Sequence, residues 1–105
     1  MAMPSFATSL AAEVRRLLNA GAPAGIVEVY LFGSVLTPER PHDVDVLIVW
    51  DEDVLAPRAA AELRPFLAGK LTTAVELPLH IILLSKREAA QSRFVEEERA
   101  TRIYP

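Results

Sequence analysis

Two apolar runs, Ile26 to Phe32 and Val44 to Trp50, are joined by a loop that opens on Gly33-Ser34 and contains Pro38 and Pro41. The prolines keep that loop out of helix and ladder alike, and the glycine lets the backbone turn sharply, so the order is strand, turn, strand. The second run carries two acids at its entrance, Asp43 and Asp45. Side chains alternate faces along a strand, which puts both acids on one side, about 7 Å apart. Asp43 alone reads equally well as a turn cap. Asp45 does not, because it interrupts an apolar run of a kind in which acids are depleted.

Two unit charges about 6 Å apart repel by about 2 to 3 kcal/mol at an effective dielectric near 20, so a positive group belongs between them. Mg²⁺ suits that position: it takes oxygen ligands, often one or two protein carboxylates, and completes its shell with water and phosphate oxygens. The amides of the Gly33-Ser34 turn, one strand away, are suited to an anion.

Gly33-Ser34 followed by Asp43-x-Asp45 on an apolar strand resembles the polymerase-beta-type nucleotidyltransferases, especially the minimal single-domain ones found beside a small helical partner in prokaryotic toxin–antitoxin pairs. The likeness runs over nearly the whole chain. It implies a fold and a chemistry: Gly33 and Ser34 grip the phosphates of a nucleotide, ATP by resemblance, and Asp43 and Asp45 bind Mg²⁺ or Mn²⁺. Transfer of AMP to a hydroxyl acceptor, on a partner protein or elsewhere, would follow. The loop is shorter and less basic than the family pattern, with Arg40 its one cation; Arg40 either reaches the triphosphate as a charge-assisted donor or is a surface arginine. His42 precedes the first acid and reads as an exposed loop histidine or a metal or nucleotide contact.

A third run, Val75 to Leu84, contains Pro78, so its well-paired part should begin at Leu79. By resemblance a third carboxylate belongs there, and His80 stands in that position. Imidazole removes one negative charge, is a ligand Mg²⁺ disfavours and Zn²⁺ or Mn²⁺ accepts, and can take up a proton from an attacking hydroxyl. Glu76 shares its face but lies about 13 Å away along a strand. Asp51-Glu52-Asp53 reads as hydrated loop acids.

The helices expected are about 5 to 20, 57 to 68 with Pro65 bending or ending it, and Ser85 to Arg99, which opens on the capping box Ser85-Lys86-Arg87-Glu88. The first buries Phe6, Leu10, Val14, Leu17 and Leu18 and leaves Arg15 and Arg16 in solvent. The fold expected is therefore α+β: a small mixed sheet with strands near 26 to 32, 44 to 50 and 79 to 84, flanked by helices, nucleotidyltransferase-like, in one domain over 1–105. A chain of 105 residues, 51% hydrophobic, can bury one core.

With 11 basic and 14 acidic residues and a net charge of −3, it has no general attraction for nucleic acid or anionic membrane. It has no cysteine, which removes thiol chemistry and disulfides, and no signal-peptide or membrane-span pattern, which leads to a cytoplasmic expectation. Ile103 and Tyr104 point to a partner, a small helical protein or a second copy. The alternative to an enzyme is a catalytically degenerate module of the same fold that binds nucleotide or a partner protein, as an antitoxin or scaffold would. The missing third acid and the shortened loop favour that alternative.

Overall fold

The computed structural model describes residues 3–37, 41–71 and 75–105. It has a four-stranded sheet in the order β3-β2-β1-β4, made of β1 (Ile26–Phe32), β2 (Val44–Trp50), β3 (Leu79–Ser85) and β4 (Thr101–Tyr104). β1 runs antiparallel to β2 and to β4, whereas β3 lies parallel to β2, so the sheet is mixed. The bounds of β1 and β2 are those the apolar runs predict. β3 begins at Leu79, one residue past Pro78, because proline has no N–H for the ladder.

Alternation divides the sheet into two faces. On the first, Val29, Leu31, Val44, Val46, Ile48 and Trp50 join residues from α1 (Ser5–Gly21), α2 (Pro57–Ala60) and α3 (Leu63–Leu71) in the main core. α1 buries Ala7, Leu10, Ala11, Val14 and Leu18, a stripe at helical spacing. Phe6, expected inside, is 40% exposed, and the small residues Ala7 and Ala11 take the innermost places. The second face is thinner: Phe32, Leu47 and Val49 are its buried residues, covered by Ala89 of α4 (Lys86–Ser92) and by Phe94 and Val95 of α5 (Phe94–Glu97).

Several elements depart from the sequence reading. The helix expected over 57 to 68 is two, and Pro65 neither bends nor ends the second but sits in its first turn, where its missing N–H has no intrahelical partner to lose. The helix expected to run to Arg99 breaks at Arg93, which takes the left-handed conformation at φ 55. Its capping box is formed: Ser85 Oγ accepts from the Glu88 N–H at 3.1 Å, and Glu88 Oε1 accepts from the Ser85 N–H at 2.8 Å.

β4 was not legible in advance, and it corrects the reading of the last residues as a surface for a partner. Ile103 is 1% exposed and packs in the main core, Tyr104 is half-buried, and the strand pairs with β1 through Tyr30↔Arg102 and Leu31↔Thr101. Arg15, expected in solvent, donates from Nη1 to the Ile103 carbonyl at 3.2 Å and ties α1 to this strand. Arg102 Nη1 donates to Glu28 Oε2 at 3.4 Å. Truncating Ile103 to alanine should cost about 2 to 4 kcal/mol, as for other buried branched residues. Chemical denaturation should show it as a lower midpoint with an unchanged m-value.

Candidate functional site

Asp43, Asp45 and His80 converge at one end of the sheet. Each offers a ligand atom, and these atoms all lie within 4.8 Å of one another; among the described residues this is the group of metal-ligating side chains that the fold assembles. The backbone explains the convergence. Asp45 pairs with Phe32 across the antiparallel β1–β2 ladder and with His80 across the parallel β2–β3 ladder. Its carboxylate and the imidazole therefore stand side by side on the second face, with Asp45 Oδ1 3.6 Å from His80 Nδ1. The side chain of Asp45 is 20% exposed and that of His80 60% exposed, so the group opens outward on the histidine side.

Gly33 makes the room. It follows β1 at φ 79, a conformation that disfavours any side chain, and it opens the 3-10 turn Gly33–Leu36. A β-carbon built there would collide with Asp45 Oδ2 and lie 3.3 Å from Asp45 Cγ. The glycine thus permits both the turn and the seating of the carboxylate behind it. Ser34 fixes the other acid: its hydroxyl donates to Asp43 Oδ1 at 3.2 Å and accepts from the His42 N–H at 3.4 Å. His42 itself is exposed, and its backbone rather than its ring makes this contact.

The electrostatics follow from this packing. Burial pushes the Asp45 carboxyl above the ordinary carboxylate range; Asp43 raises it further, His80 lowers it, and Glu98 adds a smaller upward push. Glu98 lies just beyond α5, and nothing local in the sequence marks it as a neighbour of the pair. Phe94 was likewise unmarked: it meets Phe32 edge to face, with ring centroids 5.0 Å apart and planes at 87°, and so holds α5 beside the strand that leads to Gly33.

The remaining sequence candidates fall elsewhere. Arg40 lies outside the described residues. Glu76 precedes β3, is exposed and is not among the converging ligand atoms. The acids after β2 serve local structure: Asp51 Oδ1 accepts from the Asp53 N–H at 2.9 Å, and Glu52 Oε2 accepts from the Arg87 N–H at 3.2 Å at the start of α4.

A mixed sheet with helices on both faces, a glycine turn at the end of its second-from-edge strand and paired acids on the next define a small α+β domain with a nucleotidyltransferase-like fold. The chain is similar to one in the crystal structure of the toxin–antitoxin MntA-HpeT carrying two Asp→Glu substitutions two positions apart, with a TM-score of 0.56, 19% identity, and coverage of 90% of this chain and 71% of that one. No protein-family model matches the sequence, and no curated protein does. Among the described residues no helix is long and apolar enough to cross a membrane.

Two outcomes follow from the geometry. Gly33→Ala should cost about 1 to 2 kcal/mol from the backbone conformation alone, and the shifted Asp45 carboxylate should register as an altered side-chain carbonyl resonance in NMR. The raised Asp45 carboxyl means that the ionised group opposes folding. That penalty is fully present above its folded-state pKa and fades as pH falls through it. Asp45→Asn should therefore raise Tm by roughly 2 to 5 °C at pH 7 to 8 in metal-free buffer, with a gain that shrinks on acidification. Thermal melts across pH check both points.

Proposed function

We propose that this domain is a metal-dependent nucleotidyltransferase that moves a nucleotidyl group, AMP from ATP, to a hydroxyl acceptor. The observation that carries the reading is the seating of Asp43 and Asp45 together against the Gly33-Ser34 turn. The fold likeness supports it, and so does the match in spacing between Asp43-x-Asp45 and the two aspartates substituted in the MntA-HpeT structure.

The donor set suits a divalent cation. Two carboxylates whose charges repel each other, one of them partly buried, gain from a positive ion, and Mg²⁺ would be held by Asp43 and Asp45 with phosphate and water oxygens completing its shell. When bound, such an ion supplies charge stabilisation for in-line displacement at the α-phosphorus with pyrophosphate leaving. The chain's own residues bind and orient. Ser34 aligns the Asp43 carboxylate, Gly33 makes room for the Asp45 carboxylate and opens the turn whose amides would face a phosphate, and Arg40, outside the described residues, is the cation the sequence offers for the triphosphate. His80, open to solvent beside Asp45, adds a nitrogen donor on the side from which an acceptor would approach.

The acceptor surface would come from a second protein, of the kind implied by the toxin–antitoxin pairing of the structural neighbour, or from a second copy. A second reading rests on His80 itself. With an imidazole in place of a third carboxylate, the fold would serve as a degenerate module that binds nucleotide or a partner protein and transfers nothing.

Calorimetric titration of ATP with Mg²⁺, with Mn²⁺ and without metal separates the two. The enzyme reading expects metal-dependent binding tighter than about 1 mM, which corresponds to roughly −4 kcal/mol, and its loss in the Asp43→Asn, Asp45→Asn double variant. Transfer of label from ATP to a candidate partner then tests chemistry. Binding without transfer favours the degenerate module, and no binding by a folded chain removes both nucleotide readings.

A further inference from the structure

We infer that His80 is a third ligand to the cation held by Asp43 and Asp45, and that its Nδ1 makes this centre select a nitrogen-accepting transition metal, Zn²⁺ ahead of Mn²⁺, over Mg²⁺. The inference rests on the proposed role of the two acids as cation ligands and adds which ion they take.

Position is the first argument. His80 sits directly across from Asp45 in the parallel β2–β3 ladder, so the backbone of two adjacent strands sets their spacing. Spacing is the second. Ligands bonded at about 2.0 to 2.2 Å lie about 3.4 Å apart at the tetrahedral angle and about 2.9 Å apart as octahedral neighbours. The 3.6 Å between His80 Nδ1 and Asp45 Oδ1 is within the span of two ligands on one cation, and Asp43 offers its oxygen in the same group, whose atoms lie within 4.8 Å of one another.

Chemistry is the third. One imidazole and two carboxylates form a mixed nitrogen and oxygen set that Zn²⁺ uses readily and Mn²⁺ tolerates, whereas Mg²⁺ demands near-ideal octahedral oxygen coordination. Three protein ligands with an open outer side leave a fourth position for water or a phosphate oxygen, as in catalytic rather than structural zinc centres. The 60% exposure of His80 keeps that side open.

The test uses the full chain without nucleotide. Zn²⁺, Mn²⁺ and Mg²⁺ are titrated calorimetrically into the wild type, His80→Ala and His80→Asp, with circular dichroism confirming that each is folded, and Co²⁺ is added as a visible reporter of tetrahedral coordination. The wild type should bind Zn²⁺ at least about tenfold more tightly than Mg²⁺, with Mn²⁺ between them, and should give an intense Co²⁺ spectrum. His80→Ala should weaken Zn²⁺ about 10- to 100-fold and lose the Co²⁺ intensity, whereas His80→Asp should gain Mg²⁺ affinity about tenfold.

Zn²⁺ affinity that is the same in the wild type and His80→Ala overturns the inference, as does Mg²⁺ bound as tightly as Zn²⁺. A chain that binds ATP with Mg²⁺ through the acids yet shows no dependence on His80 keeps the proposed function and loses this selectivity. One that binds Zn²⁺ through His80 but no ATP keeps the metal centre and loses the nucleotide.

Discussion

An acid held partly inside a sheet needs space on one side and compensation on the other. Asp45 finds the space because Gly33 has no side chain, and the carboxylate occupies the volume a β-carbon would fill. Its compensation within the chain is partial: the imidazole 3.6 Å away offsets it, while Asp43 and Glu98 work against it. The rest of the arrangement depends on this close approach. β1 must end where it does to deliver the glycine, the 3-10 turn must begin there, and Ser34 is then in place to hold the second acid.

The two faces of the sheet separate the main core from the converging acids and histidine. The first carries the main core, with α1, α2 and α3 packed on it, and supplies most of the apolar burial that stabilises a chain of this length. The second holds a small cluster around Phe32, Leu47 and Val49, and the acids and histidine lie along the same face. Unfavourable electrostatics are thus placed where packing is lightest, and the main core is insulated from them by the thickness of the sheet. A carboxylate at the position of Val46, one residue along, would instead point into the main core.

Much of this was legible in the sequence because the informative signals were short-range and unambiguous. The runs that became β1 and β2 are bounded by Gly33 and by the proline loop, Pro78 set the start of β3, and the capping box opened α4. The alternation rule placed Asp43 and Asp45 on one side, and the candidate residues Gly33, Ser34 and His80 lie around them. What was not legible depended on distant partners. β4 has four residues, too few to show a period, and forms where it pairs with the edge of β1 and buries Ile103 in the main core. The break at Arg93 has no glycine to announce it; the residue after it, Phe94, packs on Phe32 of the sheet. The same long-range contact brings Glu98 near Asp45, which no local pattern encodes.

The parallel register of β2 and β3 has one more effect. Were β3 to slip by a single residue, His80 would turn toward the helices of the main core and Ile81 would turn out beside the acids. The mispaired sheet would bury an imidazole and expose an isoleucine to two carboxylates, so the polar side chain beside the acids also acts as a proofreading mark for strand alignment. In a fold this small, with a parallel pair that no short hairpin enforces, one histidine is a check on strand assembly.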